Sequence, residues 1–329
     1  MAKKLDLSKM VRNNMPWLIL LGVCVVFSFF SKNFFSISNI INILNQNAYV
    51  IVCSIGITFV MMSGQIDLSV GYQMSLIGVL VAKFMTAWSL PPIVAILGAM
   101  ALGVLLSELN TFIAIKLRIS MLMVTVATSM FFQGLSFTIS NSKTISNFSP
   151  AFKYISQGYV GPIPFAVLLA FLLVLVMNFF LVRTYWGRYI YALGSNEDAA
   201  RLAGIQVNAI KYLIGGLAGA FVGLSAAMLI ARVGTAQSSL GVGTEFTVIT
   251  GILLGGVSVR GGEGKLTGVV AGILIMAILG NGMQLAGFGV YVQYIIKGII
   301  MVFAIGVDVY QLNHKKVVVE ELSAESDAS

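Results

Sequence analysis

Few ionisable side chains lie among the apolar runs of this chain, and Asp67 is the most informative of them. It belongs to the run SGQIDLSVG, which separates two long apolar stretches. A carboxylate there is costly in a membrane and usually faces a cavity, a partner or the interface. Asp67 could therefore line a broken segment beside a translocation path, with Gly64 and Gly71 supplying flexibility. Alternatively it caps the helix that follows. The two interpretations are compatible.

Further polar side chains inside the apolar runs could bind a polar solute, or could join helices to one another. Thr125, Ser129 and Gln133 share one helical face, and Asn281 and Gln284 share another. A solute of the size of a sugar needs hydrogen-bonding groups of this kind, although helix packing explains each residue taken alone. The resulting candidates for a translocation path are Gln65, Asp67, Ser69, Glu108, Asn110, Thr125, Ser129, Gln133, Asn281 and Gln284.

Residue constellations typical of enzymes are missing from the sequence. The sole histidine is His314, so neither a Ser/His/Asp triad nor a histidine-based metal site is expected. Cys24 and Cys53 lie in apolar runs without metal-ligand spacing, which favours two buried thiols. We expect no catalytic site, no metal and no cofactor in this chain.

A glycine-rich stretch, LGGVSVRGGEGK at 254–265, could suggest a phosphate-binding loop. It fails the P-loop spacing and lacks the preceding soluble strand that such a loop needs. We therefore predict a sharp turn, here named the glycine turn, and its weak similarity to the Asp67 run suggests an internal duplication. The glycines predicted to act as hinges or turns are Gly64, Gly71, Gly255, Gly256, Gly261, Gly262 and Gly264.

The elements that position these residues are predicted from composition. The chain is 58% hydrophobic and 10% charged, with a mean hydropathy of +0.95. A soluble domain carries about 25% charged residues, so the sequence indicates an all-α integral membrane protein. The net charge of +8 is better explained by orientation in a membrane than by nucleic-acid binding. About ten spans are expected, at 16–31, 47–63, 68–88, 91–115, 120–140, 162–182, 210–231, 245–259, 266–286 and 291–308.

The distribution of Lys and Arg over the short loops predicts the orientation of the chain. Most basic residues fall on one side if both termini are cytoplasmic. The first span carries no small-residue cleavage signal and is expected to stay uncleaved. We predict a cytoplasmic segment 1–15, a permease domain 16–310 with a cytoplasmic loop 183–211, and a disordered acidic tail 311–329.

The loop 183–211 is unusually polar and is predicted to contain a short helix. Ser195 with Asp198 fits a capping box, Gly204 fits a left-handed stop, and Glu197 can pair with Arg201. A helix of about two turns is marginal alone in water, so a docking partner would explain it. Its residues are Ser195, Asn196, Glu197, Asp198, Ala199, Ala200, Arg201, Leu202, Ala203 and Gly204.

Small residues at every fourth position predict close helix packing in the second half of the chain. Gly215, Gly219 and Gly223 form a double G-x-x-x-G. Gly251 with Gly255, and Gly264, Gly268 and Gly272, repeat the spacing. We expect a tight bundle there.

Four of these motifs, in order, resemble those of the permease subunits of bacterial ABC importers for ribose and related monosaccharides. SGQIDLSVG resembles their GGIDLSVG, and WGRYIYALGSNEDAARLAGI resembles their FGRY-x-YAIGGNEEAARLAGI. GILLGGVSVRGGEGK is similar to VLGGTSLAGGKG, and LGNGMQLAG to LNNGLNLLG. Three positions depart from the motifs of that family. Gln65 replaces a glycine, and Asn110-Thr111 stands where the family has Asn-Gly. Ile119-Ser120-Met121 stands where it has Ile-Pro-Pro.

The resemblance implies a ten-helix permease of the bacterial cytoplasmic membrane that dimerises, with itself or with a homologue. It implies two cytoplasmic ATPase subunits as partners, with the Ser195–Gly204 helix as their coupling helix, and an extracytoplasmic sugar-binding protein that delivers the solute. Lipid is the other expected partner, and nucleic acid is not. The same architecture could instead carry nucleosides, branched-chain amino acids or a signalling furanose. A proton-coupled secondary transporter that uses Asp67 and Glu108 is the alternative from another class.

Overall fold

The protein, represented by a computed structural model, is described for residues 14–29 and 33–327, and most of these residues are helical. Within them the helices are α1 Met15–Ser28, α2 Ile37–Met62, α3 Val70–Trp88, α4 Pro92–Leu117, α5 Met121–Ser140, α6 Pro150–Gln157, α7 Phe165–Arg183, α8 Tyr185–Ser195, α9 Glu197–Leu202, α10 Val207–Val233, α11 Thr244–Leu254, α12 Leu266–Leu285 and α13 Val290–Asp327. A two-stranded antiparallel hairpin, β1 Tyr159–Val160 and β2 Ile163–Pro164, joins α6 to α7.

The membrane-spanning architecture predicted from composition is confirmed. In the described part, eight helices are long and apolar enough to cross a membrane, and α1 and α11 are shorter apolar helices. The second span starts earlier than predicted, at Ile37, because the Ser36 side chain caps it by accepting from Asn39 N at 3.2 Å. The predicted span 245–259 is wrong as a complete crossing, since α11 has 11 residues and extends only about 16 Å.

The core of the bundle forms around α2 and α10. Helix α10 packs mainly on α4 and α2, and its glycine stripe lies against α4. A Cβ on Gly219 would overlap the carbonyl of Gly103, and a Cβ on Gly223 would overlap that of Ala99. Gly272 meets the Gly251 carbonyl in the same way across α11 and α12. The predicted close packing through small residues is therefore confirmed.

The outer helices direct apolar side chains outward. Leu172, Phe179 and Val182 on α7, and Val302 and Phe303 on α13, are largely exposed. An exposed apolar surface of this extent is typical of helices in contact with lipid.

Loops gather at two opposite ends of the bundle. The end that carries α9 is named the α9 face, and the end that carries α6 and the hairpin is named the opposite face. Helix α10 runs from one to the other, because it begins beside α9 at Val207 and ends beside α6 at Val233. Which face is cytoplasmic stays a prediction.

The two terminal segments of the chain are described to different extents. Most of the predicted segment 1–15 lies outside the described residues. Within the segment 311–329, which is predicted to be a disordered tail, residues 311–327 continue α13 as helix through Asp327. Its sequence includes the helix formers Lys, Glu, Leu and Ala, and extending an existing helix avoids the cost of nucleation.

Candidate functional site

A buried polar network lies where the chain leaves α2 and enters α3, and Ser69 is its centre. Residues 63–69, named the first break, separate the two helices. The Ser69 backbone N and Oγ both donate to Asp67 Oδ1, at 2.7 and 2.6 Å. Ser69 Oγ in turn accepts from Gln73 Nε2 at 2.8 Å and from Asn110 Nδ2 at 2.9 Å. The hydroxyl is thus fully hydrogen-bonded, with one bond donated and two accepted.

The network extends across α4 and α5. Ser107 Oγ on α4 donates to Gln73 Oε1 at 3.1 Å, and Leu68 N donates to Thr125 Oγ1 on α5 at 3.2 Å. Asp67 is almost fully buried, and this burial raises the pKa of its carboxyl, while the hydrogen bonds from Ser69 act in the opposite direction. Four predicted residues, Asp67, Ser69, Asn110 and Thr125, therefore come together.

A second interruption of the helical pattern lies between α10 and α11. Residues 234–243, named the second break, are connected to α5 and to α3. Gln133 Nε2 donates to Ser238 O at 2.8 Å, and Gly241 N donates to Ser75 Oγ at 3.0 Å. Since α11 starts after this segment and is short, the chain re-enters the bundle from the opposite face before it becomes helical again.

Glu245 lies in the first turn of α11, directly after the second break, and the sequence reasoning missed it. It is 1% exposed, and both carboxylate oxygens accept from Gly243 N, at 3.1 and 3.0 Å. A Cβ on Gly71 would overlap this carboxylate. The signal was available, because Glu245 interrupts apolar residues just as Asp67 does. Gln73 and Ser107 were also missed, since single polar residues inside apolar helices carry no spacing pattern.

The other predicted path residues lie outside the Ser69 network. Asn281 on α12 exchanges amide hydrogen bonds with Asn39 on α2, at 3.0 and 2.9 Å, and Gln284 is exposed. The Glu108 carboxylate lies beside Gly216 of α10, where a Cβ would meet Glu108 Oε1 at 3.0 Å. Ser129 bonds its own helix through Val126 O, and Gln65 is half-buried beside the first break.

Three chain segments meet at close range on the α9 face, here named the glycine junction: Gly64 of the first break, Gly261 and Gly262 of the glycine turn, and Gly194 near the end of α8. Gly262 N donates to Met62 O at 2.8 Å. A Cβ on Gly194 would overlap Met62 O and would lie 2.5 Å from Gly262 N. The junction thus connects the end of α8 directly to both turns.

Two further hydrogen bonds hold the glycine turn. Tyr191 on α8 donates its hydroxyl to Gly264 O at 2.8 Å, and burial raises the pKa of this phenol, so the group keeps the proton that it donates. Asp308 on α13 accepts from Val259 N at 2.9 Å. The turn is therefore attached to α8 on one side and to α13 on the other.

The glycines predicted as hinges fall into two groups. Gly64, Gly256, Gly261, Gly262 and Gly264 have positive φ and form turns. Gly71 was wrongly predicted, because it is helical, whereas Gly255 lies in the turn that ends α11, with a right-handed φ of −72°. Close packing requires a residue without a side chain at both positions, because a Cβ on Gly255 would lie 2.7 Å from Gly268 O and a Cβ on Gly71 would overlap the Glu245 carboxylate.

The predicted short helix exists as α9, Glu197–Leu202, with one correction. Ser195 does not cap it, because α8 extends through Ser195 and its Oγ donates to Tyr191 O. The cap is Asn196, whose Oδ1 accepts from Ala199 N at 2.9 Å. An Asn side chain satisfies this role as well as Ser does. Gly204, with a φ of +83°, ends the helical segment as predicted.

Side chains of α9 anchor it on one side and leave an apolar surface on the other. Glu197 pairs with Arg201 at 3.0 Å, as predicted, and also with Lys211 Nζ of α10 at 2.8 Å. Ala200 is buried, whereas Leu202 is 90% exposed and Ala199 and Ala203 are exposed beside it. An apolar side chain exposed this fully, on a helix too short to be stable alone, is well suited to contact a partner.

Residues 39–305 match the family of branched-chain amino acid transport system / permease components. The ribose import permease of Escherichia coli is 33% identical over 88% of this chain and 91% of its own length. The xylose transport system permease of Haemophilus influenzae is 30% identical over 90% of this chain and 96% of its own. The galactose/methyl galactoside import permease of Escherichia coli is 28% identical over 91% and 95%. No solved structure matches the chain.

Proposed function

Because the chain belongs to the family of branched-chain amino acid transport system / permease components, we propose that it carries a ribose-like pentose or a hexose across the bacterial cytoplasmic membrane. In this proposal it is the multi-pass permease subunit of an ATP-binding cassette importer. The observation that carries the choice of solute is the similarity to permeases for ribose, xylose and galactosides over nearly the full chain.

Three kinds of protein partner follow from this proposal. A separate ATPase subunit binds α9 and supplies the energy, an extracytoplasmic binding protein delivers the sugar, and a second permease copy or homologue completes the pathway. The exposed Leu202 and the short α9 support the first partner. No nucleotide is bound by this chain in the proposal.

The residues of the two breaks act as the moving parts. Contact at α9 is transmitted through α8 to the glycine junction, where the first break and the glycine turn meet. Asp67 of the first break and Glu245, which follows the second break, are buried inside the bundle, and hydroxyl-bearing solutes suit a pathway with donors and acceptors such as these. Closure of the ATPase pair on ATP favours one arrangement of the breaks, and hydrolysis restores the other.

The test is transport by the reconstituted complex. The permease, its ATPase and its binding protein are placed in liposomes, and uptake of labelled ribose, xylose, galactose, leucine and a nucleoside is measured with and without ATP. We expect ATP-dependent uptake of at least one monosaccharide and none of leucine. Uptake of leucine alone would contradict the choice of solute, and this is the second candidate because the family description names branched-chain amino acids.

The proton-coupled alternative makes a different prediction in the same liposomes. The structure gives it only partial support, because Glu108 lies beside Gly216 of α10 and is not a member of the Ser69 network. Uptake that is abolished by an uncoupler while ATP is maintained would favour it. Uptake that survives the uncoupler and stops without ATP supports the importer.

A further inference from the structure

A cavity of about 800 Å³ opens on the α9 face, between the end of α4, helix α9 and the start of α10. Its volume falls within the range of sites that hold small molecules, about 300–1,000 Å³. Apolar side chains in its lining include the buried Ala114 and Val207 and the half-buried Ile205. None of its described lining residues belongs to either break, so this cavity, named the α4–α10 cavity, is separate from the Ser69 network.

Cationic side chains dominate the charge of the α4–α10 cavity. Arg118 after α4, Arg201 of α9 and Lys211 of α10 line it together with one acid, Glu197. Three cationic side chains against one carboxylate leave a net charge of +2. Basic groups that converge on a concave site from three different elements favour an anionic ligand there.

The two arginines of the cavity retain donors for a further anion. Lys211 Nζ lies 2.8 Å from Glu197 Oε2, and its side chain is only 16% exposed, so this cation is committed to Glu197. Arg201 uses one guanidinium nitrogen in its pair with Glu197, and its side chain is 61% exposed. Arg118 is exposed and forms no ion pair with any residue that the structure describes.

The chain turns sharply at the end of α4, and this turn brings Arg118 to the cavity. Arg118 has a φ of +56°, and its N–H donates to Ala114 O. Ile119 N donates to the same carbonyl at 3.2 Å. Two donors therefore satisfy this carbonyl at the cavity, which reduces its repulsion of an anion. The start of α10 adds the favourable end of a helix dipole, where Gln206 makes no side-chain cap.

The cavity lies on a different side of α9 from the surface assigned to the ATPase. Glu197 and Arg201, four positions apart, share the side of the helix that lines the cavity. Leu202, which is 90% exposed, does not line it. An occupant of the cavity therefore leaves the Leu202 side of α9 accessible.

We propose that the α4–α10 cavity binds the phosphate group of a phosphate ester through the guanidinium groups of Arg118 and Arg201. A guanidinium group suits phosphate because its planar fork donates two parallel N–H bonds to two oxygens. The apolar part of the lining, with the exposed Leu117 and Ile119 beside Arg118, suits the organic part of the ester. The ester is either an anionic phospholipid or a soluble metabolite.

A phosphate held by both arginines connects two elements. Arg118 follows α4 and Arg201 belongs to α9, which the described structure otherwise attaches to the bundle mainly through Glu197 and Lys211. Occupancy of the cavity therefore restricts the movement of α9. The site does not depend on the proposed function, because neither its ligand nor its residues involve a transported sugar.

The experiment measures binding of two phosphate esters to the full-length protein. Glycerol 3-phosphate is titrated by calorimetry into the protein in phosphatidylcholine nanodiscs. Phosphatidylglycerol is mixed with an equal amount of phosphatidylcholine, and the lipids retained by the protein are counted by native mass spectrometry. We expect saturable binding of the first probe, or retention of the second at least about threefold above phosphatidylcholine. The probe that binds identifies the source of the phosphate, and binding of neither would overturn the proposal.

Arg118→Asn removes one guanidinium group, and Asn tolerates the left-handed backbone at this position. We expect it to weaken binding of glycerol 3-phosphate at least about fivefold, or to abolish the preference for phosphatidylglycerol, because a charge-assisted hydrogen bond is lost. Arg201→Gln should act in the same direction. Wild-type binding by both variants would overturn the proposal.

Arg188→Gln is the matched control, because Arg188 is an exposed arginine of the neighbouring α8 that does not line the cavity. It should bind both probes as the wild type does. An equal loss of binding in Arg188→Gln and Arg118→Asn would attribute the effect to general surface charge and contradict the proposal.

Hydrogen exchange of the α9 amides gives a readout that is independent of affinity. The bound probe should slow exchange within Glu197–Leu202 in the wild type and not in Arg118→Asn. Unchanged exchange at saturation would contradict the connection between α4 and α9.

Discussion

At the scale of single residues, Asp67 is the group whose charge can be separated from its hydrogen bonds. The Asp67→Asn variant keeps an Oδ1 that can accept from both Ser69 donors, whereas Asp67→Ala removes the acceptor. If the charge serves transport, we predict that Asn lowers the uptake rate at least about tenfold, with little change in thermal stability. The Ala variant should also unfold more readily, because the buried Ser69 N–H and hydroxyl lose their acceptor.

Uptake and thermal unfolding of both variants in the same liposomes check this prediction. Wild-type uptake by Asp67→Asn, together with loss by Asp67→Ala, would leave the residue only a structural role at the start of α3. Glu245→Gln is the matched variant beside the second break, in the first turn of α11, since its carboxylate also accepts from backbone N–H. Equal effects at the two positions would link the two breaks in function.

The residue scale also shows where sequence reasoning stops. The unusual position of a carboxylate among apolar residues was sufficient to find Asp67, and the same argument would have found Glu245. Nothing in the sequence reveals that Ser69, Gln73 and Asn110 converge, because they approach through the packing of α3 on α4. Asn281 and Gln284 share a face as predicted, yet that face contributes nothing to the network.

At the scale of elements, the anchoring of α9 gives a second prediction. Glu197→Gln weakens two ion pairs, including the one that fixes α9 to α10 through Lys211, whose side chain is only 16% exposed. Arg201→Gln weakens only an exposed pair, which is worth about 0.3–0.5 kcal/mol. We predict that Glu197→Gln reduces the stimulation of ATPase activity by substrate more than Arg201→Gln does, while both proteins insert normally.

Asp198→Asn is the matched control, because Asp198 is exposed on the same helix and has no ion pair in the described residues. Normal coupling in all three variants would contradict the role assigned to α9. Leu202→Ser separates apolar contact from charge: lost ATPase association in that variant, with Asp198→Asn normal, would identify Leu202 as the contact residue.

Element boundaries illustrate a second limit of the sequence. The polar loop and its stop at Gly204 were predictable from composition, but its cap was assigned to Ser195 because Ser and Asn are almost equally good caps. In the structure Asn196 is the cap, because α8 continues to Ser195 and packs Gly194 against Met62. That contact is distant in sequence and therefore invisible to a local pattern.

At the scale of the whole molecule, the close packing of α4 on α10 determines stability. Gly103→Ala places a methyl group against the Gly219 carbonyl, with no flexible side chain to move aside. Overpacking of this kind costs about 1–3 kcal/mol. We predict that Gly103→Ala lowers the thermal unfolding midpoint by several degrees in detergent, as measured by fluorescence or light scattering.

Gly98→Ala on the same helix serves as the comparison, because a Cβ there meets nothing within 4 Å. It should leave the midpoint nearly unchanged. Equal destabilisation by both substitutions would show that loss of glycine as such, and not the approach to α10, is responsible.

The overall helical architecture was predictable because membrane spans are strong signals and the glycine stripes mark close packing. The short α11 was not, since an apolar run of sufficient length does not reveal where a helix ends. Gly255 and Gly256 stop it, and the second break before it contributes to the bundle mainly as a series of turns.

The extension of helix α10 from one face of the bundle to the other has a thermodynamic consequence. The helix is joined at one end to α9, where the ATPase binds in our proposal, and it reaches at the other end the face from which the binding protein delivers the sugar, so the molecule links two binding equilibria. Such linkage is reciprocal: the factor by which nucleotide on the ATPase changes the affinity for the binding protein must equal the factor by which the binding protein changes the affinity for nucleotide. One ratio, measured from either side, therefore reports the same free energy.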